Sequence, residues 1–125
     1  MPVAFEHPTF VLSEEQVDGR TRIVTVTGEL HVTTAPSFGR ELARLLADEP
    51  PGLVLDLSGV EYIDSTGLGV LLNCLRRVDR HGGRLALVVT NPTVLRLFQI
   101  TNMDDTFVIC DSRRNALAAI HAAAT

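Results

Sequence analysis

Lysine is absent from this 125-residue chain, and all eleven basic residues are arginine. A P-loop, whose lysine reaches the β- and γ-phosphates of a nucleotide, is therefore excluded. Tryptophan is absent too, and a single tyrosine is too little for the stacking platform of a single-strand binder. The net charge is −4, and no concentrated run of basic residues offers a footprint for a nucleic-acid backbone. No apolar run approaches the ~20 residues of a membrane span. The opening "MPVAFEHPTF" has neither the basic region nor the apolar core of a signal peptide, so a cytoplasmic protein is expected. The two cysteines, Cys74 and Cys110, lack C-x-x-C spacing and read as buried thiols of a reducing compartment, not as a disulfide or metal site.

What is present suffices for one globular domain over residues 1–125, with residues 1–8 expected to be held least firmly. Hydrophobic residues make up 46% and charged residues 21%, enough to bury a core without metal or disulfide support. No repeat, low-complexity tract or linker marks a boundary. Residues 9–16 and 21–29 read as two strands around the turn "VDGR", the second ending at Gly28. In "TTAPSFGRELARLLADEPPG", Thr34 is the expected N-cap and Pro36 lies in the first turn, while Pro50, Pro51 and Gly52 stop the helix. Phe38, Leu42, Leu45 and Leu46 recur on one face, opposite Arg40, Glu41, Arg44 and Asp48.

"LVLDLS" (53–58) and "RLALVV" (84–89) are nearly all apolar, as expected of strands covered on both faces of a parallel sheet; "FVIC" (107–110) is a weaker case. Helices are predicted at about 65–81, 92–101 and 112–123. Asn91 and Pro92 form a cap and first-turn pair, and Gly82 and Gly83 end the long helix. Strand and helix thus alternate after an opening hairpin, which calls for right-handed crossovers on a mostly parallel sheet with an antiparallel first strand.

Ligand and partner sites in such folds lie beyond the carboxyl ends of the strands, and "SGVEYIDSTG" is expected to be the connection leaving the central one. Asp64 can cap the next helix, leaving Ser65, Thr66 and Gly67 as its first turn, where free amides and the helix dipole favour negative charge. Leu68, Leu71, Leu72, Leu75 and Val78 form the stripe facing the sheet. Thr66, Val70, Asn73 and Arg77 fall on the far side, and with Gly69 they suit a flat surface for docking another protein. Catalytic patterns fail here. A nucleophile elbow needs glycine where Ile63 stands, an aspartic-protease loop needs D-[ST]-G and a second copy, and "GLG" finds Leu72 where a dinucleotide fingerprint needs its third glycine. His7, His31, His81 and His121 show no ligand spacing and read as loop or helix-end residues.

"LVLDLSGV" followed by "YIDSTGLGVLL" resembles the STAS domain, in particular the bacterial anti-sigma factor antagonists. The likeness runs from about Gly28 to the C-terminus, through "GEL", the D-S-[ST]-G-[LI]-G signature, "GGRLALVV" and "NPTVLRLFQITNMDDTFVI". It implies a single-domain α/β STAS fold, with a mostly parallel mixed five-stranded sheet, an antiparallel N-terminal edge strand and about four helices. It also implies a non-enzymatic protein without cofactor or metal. Its partners would be an anti-sigma factor that is a serine kinase and a PP2C-type phosphatase; the site of phosphorylation maps onto Ser65, with Thr66 as a second candidate or a residue that packs and caps locally. The implied partner surface is Asp64, Ser65, Thr66, Gly67, Gly69, Val70, Asn73 and Arg77, joined by His31.

His31 departs from the family pattern, which has G-E-L-D where this chain reads G-E-L-H. The imidazole is either neutral and solvated or, facing Ser65, a group that would hold a phosphate. Two other roles stay open: an interaction domain of a sensory or transport assembly in which Ser65 only starts a helix, and an anion or nucleotide sensor using the first-turn amides.

Overall fold

The protein is described by a computed structural model covering residues 4–7 and 10–123. The elements, in chain order, are β1 (Ala4–His7), β2 (Phe10–Gln16), β3 (Thr21–Leu30), α1 (Ala35–Leu45), β4 (Gly52–Ile63), α2 (Ser65–Arg80), β5 (Arg84–Val88), α3 (Pro92–Ile100), β6 (Ile109–Cys110) and α4 (Arg113–Ala123). They form one sheet in the order β1-β2-β3-β4-β5-β6. The β1–β2 and β2–β3 pairs are antiparallel and the remaining pairs parallel. The five expected strands are β2 to β6. β1 adds a sixth, and it, not β2, is the antiparallel edge.

Strand order advances in one direction, so crossovers of a single hand set α1, α2 and α3 on the same face. Phe38 of α1, Leu71 of α2 and Phe98 of α3 accordingly share one core with Leu53, Leu55 and Leu57 of β4. The alternate side chains of β4 and β5, Val54, Ala86 and Val88, pack under Ala116 and Ile120 of α4. The continuous apolar runs of these two strands thus have the cause expected of them: both faces are covered.

Local signals set most boundaries. Asp18 holds the β2–β3 turn by accepting from the amides of Arg20 and Thr21. Asn91 caps α3 through the Thr93 amide. Gly82, at φ 76, ends α2 while the amide of Gly83 returns to the Val78 carbonyl. Thr34 is the exception. It stands at the N-cap of α1 but makes no side-chain cap bond. It is fully buried, and its hydroxyl instead donates to the Glu29 carbonyl and accepts from the His31 amide. The backbone turn between β3 and α1 needs that hydroxyl more than the helix does.

Candidate protein interface at the start of α2

The expected connection after residue 58 is strand almost to its end. β4 continues to Ile63 because β3 keeps pairing with it through two register shifts, reaching Leu30 opposite Ile63. Gly28, at φ 105, lies at the second shift; that left-handed backbone suits glycine. The detour brings the end of β3 against the start of α2, with one residue, Asp64, between β4 and the helix.

Asp64 joins the two. Its extended backbone is that of an N-cap. Its Oδ1 accepts from the amides of Thr66 (2.9 Å) and Gly67 (3.0 Å), its Oδ2 accepts from the Val32 amide (3.2 Å), and its own amide donates to the Leu30 carbonyl (3.1 Å). The first turn therefore lies so close to β3 that a Cβ on Gly67 would come within 2.5 Å of the Leu30 oxygen. A Cβ on Gly69 would meet nothing within 4 Å. The two glycines of the signature thus differ: packing requires Gly67, while Gly69 leaves a bare patch on the helix surface.

Ser65 and Thr66 are both exposed, and neither hydroxyl bonds to another described residue. Thr66 does not pack or cap. Beside them stand two exposed apolar side chains, Val32 (67% exposed) and Tyr62 (48%). Sequence reasoning missed both: Val32 reaches the helix start through the long-range contacts of Leu30 and Val32 with Asp64, and Tyr62 sits where a connection, not a strand with an outward face, was expected. The amides of Thr66 and Gly67, which an anion sensor would use, are already taken by Asp64. An anion there meets fewer free donors than an uncapped helix start offers.

His31 sits in that same turn, half-buried. Its Nδ1 accepts from the Thr33 amide at 3.2 Å, which assigns the ring proton to Nε2, 3.3 Å from Glu29 Oε1. The ring also lies 6.3 Å from that of Tyr62. The two nitrogens have partners in β3 and in the turn, and neither bonds to Ser65.

The buried stripe of α2 is Gly67, Leu68, Leu71, Cys74 and Val78, with Leu72 and Leu75 only half-buried. Cys74 packs in the core, and burial pushes its thiol up to about 12 against the opposing charge of Arg77, making it unreactive. Val70 corrects the expected flat face. It is half-buried and turned toward α1, 3.8 Å from where a Cβ on Gly39 would be. With Leu42, Ala43, Leu46, Asn73, Cys74 and Arg77, these residues line a groove of about 160 Å³ between α1 and α2. Cys110 is a second free thiol, and His81 closes α2 with Nε2 2.9 Å from the Pro50 carbonyl oxygen.

On the opposite face lies a polar cluster the sequence reading did not single out. Asp56, 5% exposed within apolar β4, accepts from the Ser58 hydroxyl and amide and from Arg113 Nε at 2.6 Å. Arg113 also donates to Glu15 and Thr25, tying α4 to β2, β3 and β4. The one signal was a lone aspartate in "LVLDLS". Among the described residues no group of three or more His, Cys, Asp or Glu side chains could hold a metal ion, and no helix is long and apolar enough to cross a membrane.

The site is of the class found in α/β domains at the carboxyl end of a central strand, here a helix start with small hydroxyls exposed beside apolar side chains. Comparison with known proteins gives the family. The STAS domain matches residues 13–116, and the chain belongs to the STAS domain family. It is 38% identical over 82 residues to the anti-sigma-B factor antagonist of Bacillus subtilis (strain 168), covering 66% of this chain and 74% of that protein. The crystal structure of an anti-sigma factor antagonist from Mycobacterium paratuberculosis superimposes with a TM-score of 0.84 at 31% identity, covering 94% of this chain and 99% of that one. The anti-sigma factor antagonist SpoIIAA in its unphosphorylated form shares the fold, with a TM-score of 0.73 at 19% identity over 89% of this chain and 96% of its own.

Proposed function

We propose that this chain is an anti-sigma factor antagonist that binds an anti-sigma factor kinase, releases the sigma factor, and is switched off by phosphorylation of Ser65. The similar proteins carry that name, and like them it acts as a regulatory binding protein, not as an enzyme. The observation that carries the switch is the exposed, unbonded hydroxyl of Ser65 at the edge of a surface with apolar Val32 and Tyr62. The partner surface comprises Asp64, Ser65, Thr66, Gly67, Gly69, Val70, Asn73, Arg77 and His31. A PP2C-type phosphatase resets the protein, and the cycle runs in the cytoplasm.

A phosphoryl group on Ser65 adds about −1.5 to −2 charges. It finds Asp64 beside it and the neighbouring amides already occupied, yet it stands in water and the fold tolerates it. Buried under a docked protein without a cationic partner, the same charge costs about 2–5 kcal/mol, roughly 30- to several-thousand-fold in affinity. Phosphorylation therefore acts by excluding the partner. Incubation with a cognate anti-sigma kinase and ATP, followed by mass spectrometry, should place one phosphate on Ser65. No label, or a label that survives Ser65→Ala, would refute the switch.

A further inference from the structure

The carboxyl half of α2 bears Arg76, Arg77 and Arg80, and no hydrogen bond or ion pair joins their side chains to another described residue. Elsewhere Arg22, Arg44 and Arg113 are each held by carboxylates. Arg77 and Arg80 lie in the last turn, where cations complement the helix dipole, but that does not explain what lies next to them. Arg77 lines the α1–α2 groove and also a second depression, of about 360 Å³, bordered by Arg80 and His81. The two adjoin at Arg77, which lines both, and together make up a trough along α2. Its floor at one end is apolar, from Leu42, Leu46, Val70 and Cys74; its lip on α1 is small, from Gly39 and Ala43; its other end is cationic, with Glu49 the one carboxylate lining it.

We infer that this trough is the docking site for an acidic amphipathic helix of the protein partner, whose apolar side chain fills the floor while its carboxylates meet Arg77 and Arg80. The inference rests on the α2 surface being where the partner docks, and it specifies the chemistry of that partner. Small lips let a second backbone approach closely, and an apolar slot continued by charge is the pattern of helix-in-groove recognition. In a chain of net charge −4, uncompensated arginines select for an acidic segment through complementarity. A recessed floor presents no apolar wedge to a bilayer, and three arginines interrupted by Asp79 and Glu49 are too few to follow a nucleic-acid backbone. Arg80 stands 15 residues along the helix from Ser65, about 22 Å at 1.5 Å per residue, beyond the ~8 Å reach of a screened phosphoryl charge. Docking is thus two-point, a switched contact at the amino end of α2 and a constant anchor at the carboxyl end.

The test titrates isotope-labelled full-length protein with a synthetic peptide of about 16 residues, leucine on one helical face and glutamate on the other, and with its lysine-for-glutamate twin. The expected result is amide shifts clustered at Ala43, Val70, Asn73 and Arg77 with the glutamate peptide and none with the twin. The Arg77→Glu/Arg80→Glu double variant should weaken binding about tenfold or more, and Ala43→Trp, which overfills the trough from its lip, should abolish it. Arg114→Glu on α4 should leave it within about twofold. Equal binding of the twin, shifts located elsewhere, an unaffected double variant, or tighter binding to anionic phospholipid vesicles than to the peptide would overturn the inference. No kinase is present, so a negative result here leaves the Ser65 switch standing, and a failed phosphorylation of Ser65 leaves the trough standing.

Discussion

Asp56 and Asp64 lie on one path of chain, the first inside β4 and the second just past its end, and each carboxylate accepts three hydrogen bonds. Their neighbours make them different. Around Asp56 the donors include a guanidinium from α4 and the site is closed, so the cluster locks a helix onto the sheet. Around Asp64 all three donors are backbone amides, two of them exposed, and the residue after it is an exposed serine. Equal numbers of bonds thus serve stability in one place and the presentation of a surface in the other. Burial and the charge of the donor decide which.

Removing the closed cluster should have the largest effect. Asp56→Ala leaves the Ser58 hydroxyl and Arg113 without their partner and should cost about 2–4 kcal/mol in urea unfolding, the half-exposed guanidinium keeping the loss below that of a fully buried pair. Next comes the pair of glycines in α2. Gly67→Ala drives a Cβ into the Leu30 carbonyl and should cost about 1–3 kcal/mol. Gly69→Ala, in open space within a helix, should stabilise by about 0.5–1 kcal/mol; similar values for the two would mean that the helix start is not held against β3. Asp64→Ala should cost about 1 kcal/mol as a lost cap, read from the thermal midpoint.

Acid separates the regions further. Burial pushes the Asp56 carboxyl up, but Ser58 and Arg113 together outweigh it and hold the group below its ordinary value. A carboxyl depressed in the folded state contributes stability above its unfolded value, near 4, and loses that contribution as pH falls through the folded value. Wild type should therefore lose more stability between pH 6 and about pH 3 than Asp56→Asn does; parallel curves would break the assignment. The smallest effect belongs to Ser65→Asp, whose side chain stands in water: unfolding free energy within about 0.5 kcal/mol of wild type, alongside strongly weakened kinase binding.

Much of this architecture was legible because its signals are local. The Asn91–Pro92 start of α3, the Gly82–Gly83 end of α2 and the Asp64 cap each act within a few residues, and the apolar runs of β4 and β5 announce strands covered twice. Val70 was misplaced because helical periodicity separates the faces of a helix but cannot say which neighbour each face meets. Thr34 was misread for a related reason: a hydroxyl before a helix has more than one set of backbone groups within reach, and here the turn at Glu29 and His31 takes it.

From β2 onward the order of strands and helices, the Asp64 and Asn91 caps and the exposed serine after Asp64 were determined by sequence alone, since hydrogen bonds reaching a few residues and the 3.6- and 2-residue periods are written in neighbouring letters. Tertiary structure alone decided that Leu30 would press on Gly67, that Val32 would join the helix start through Asp64 (32 residues apart), and that Arg113 would reach Asp56 across 57 residues of chain. Those contacts exist only after the sheet has assembled, because it is pairing between distant strands that brings their donors and acceptors within bonding distance.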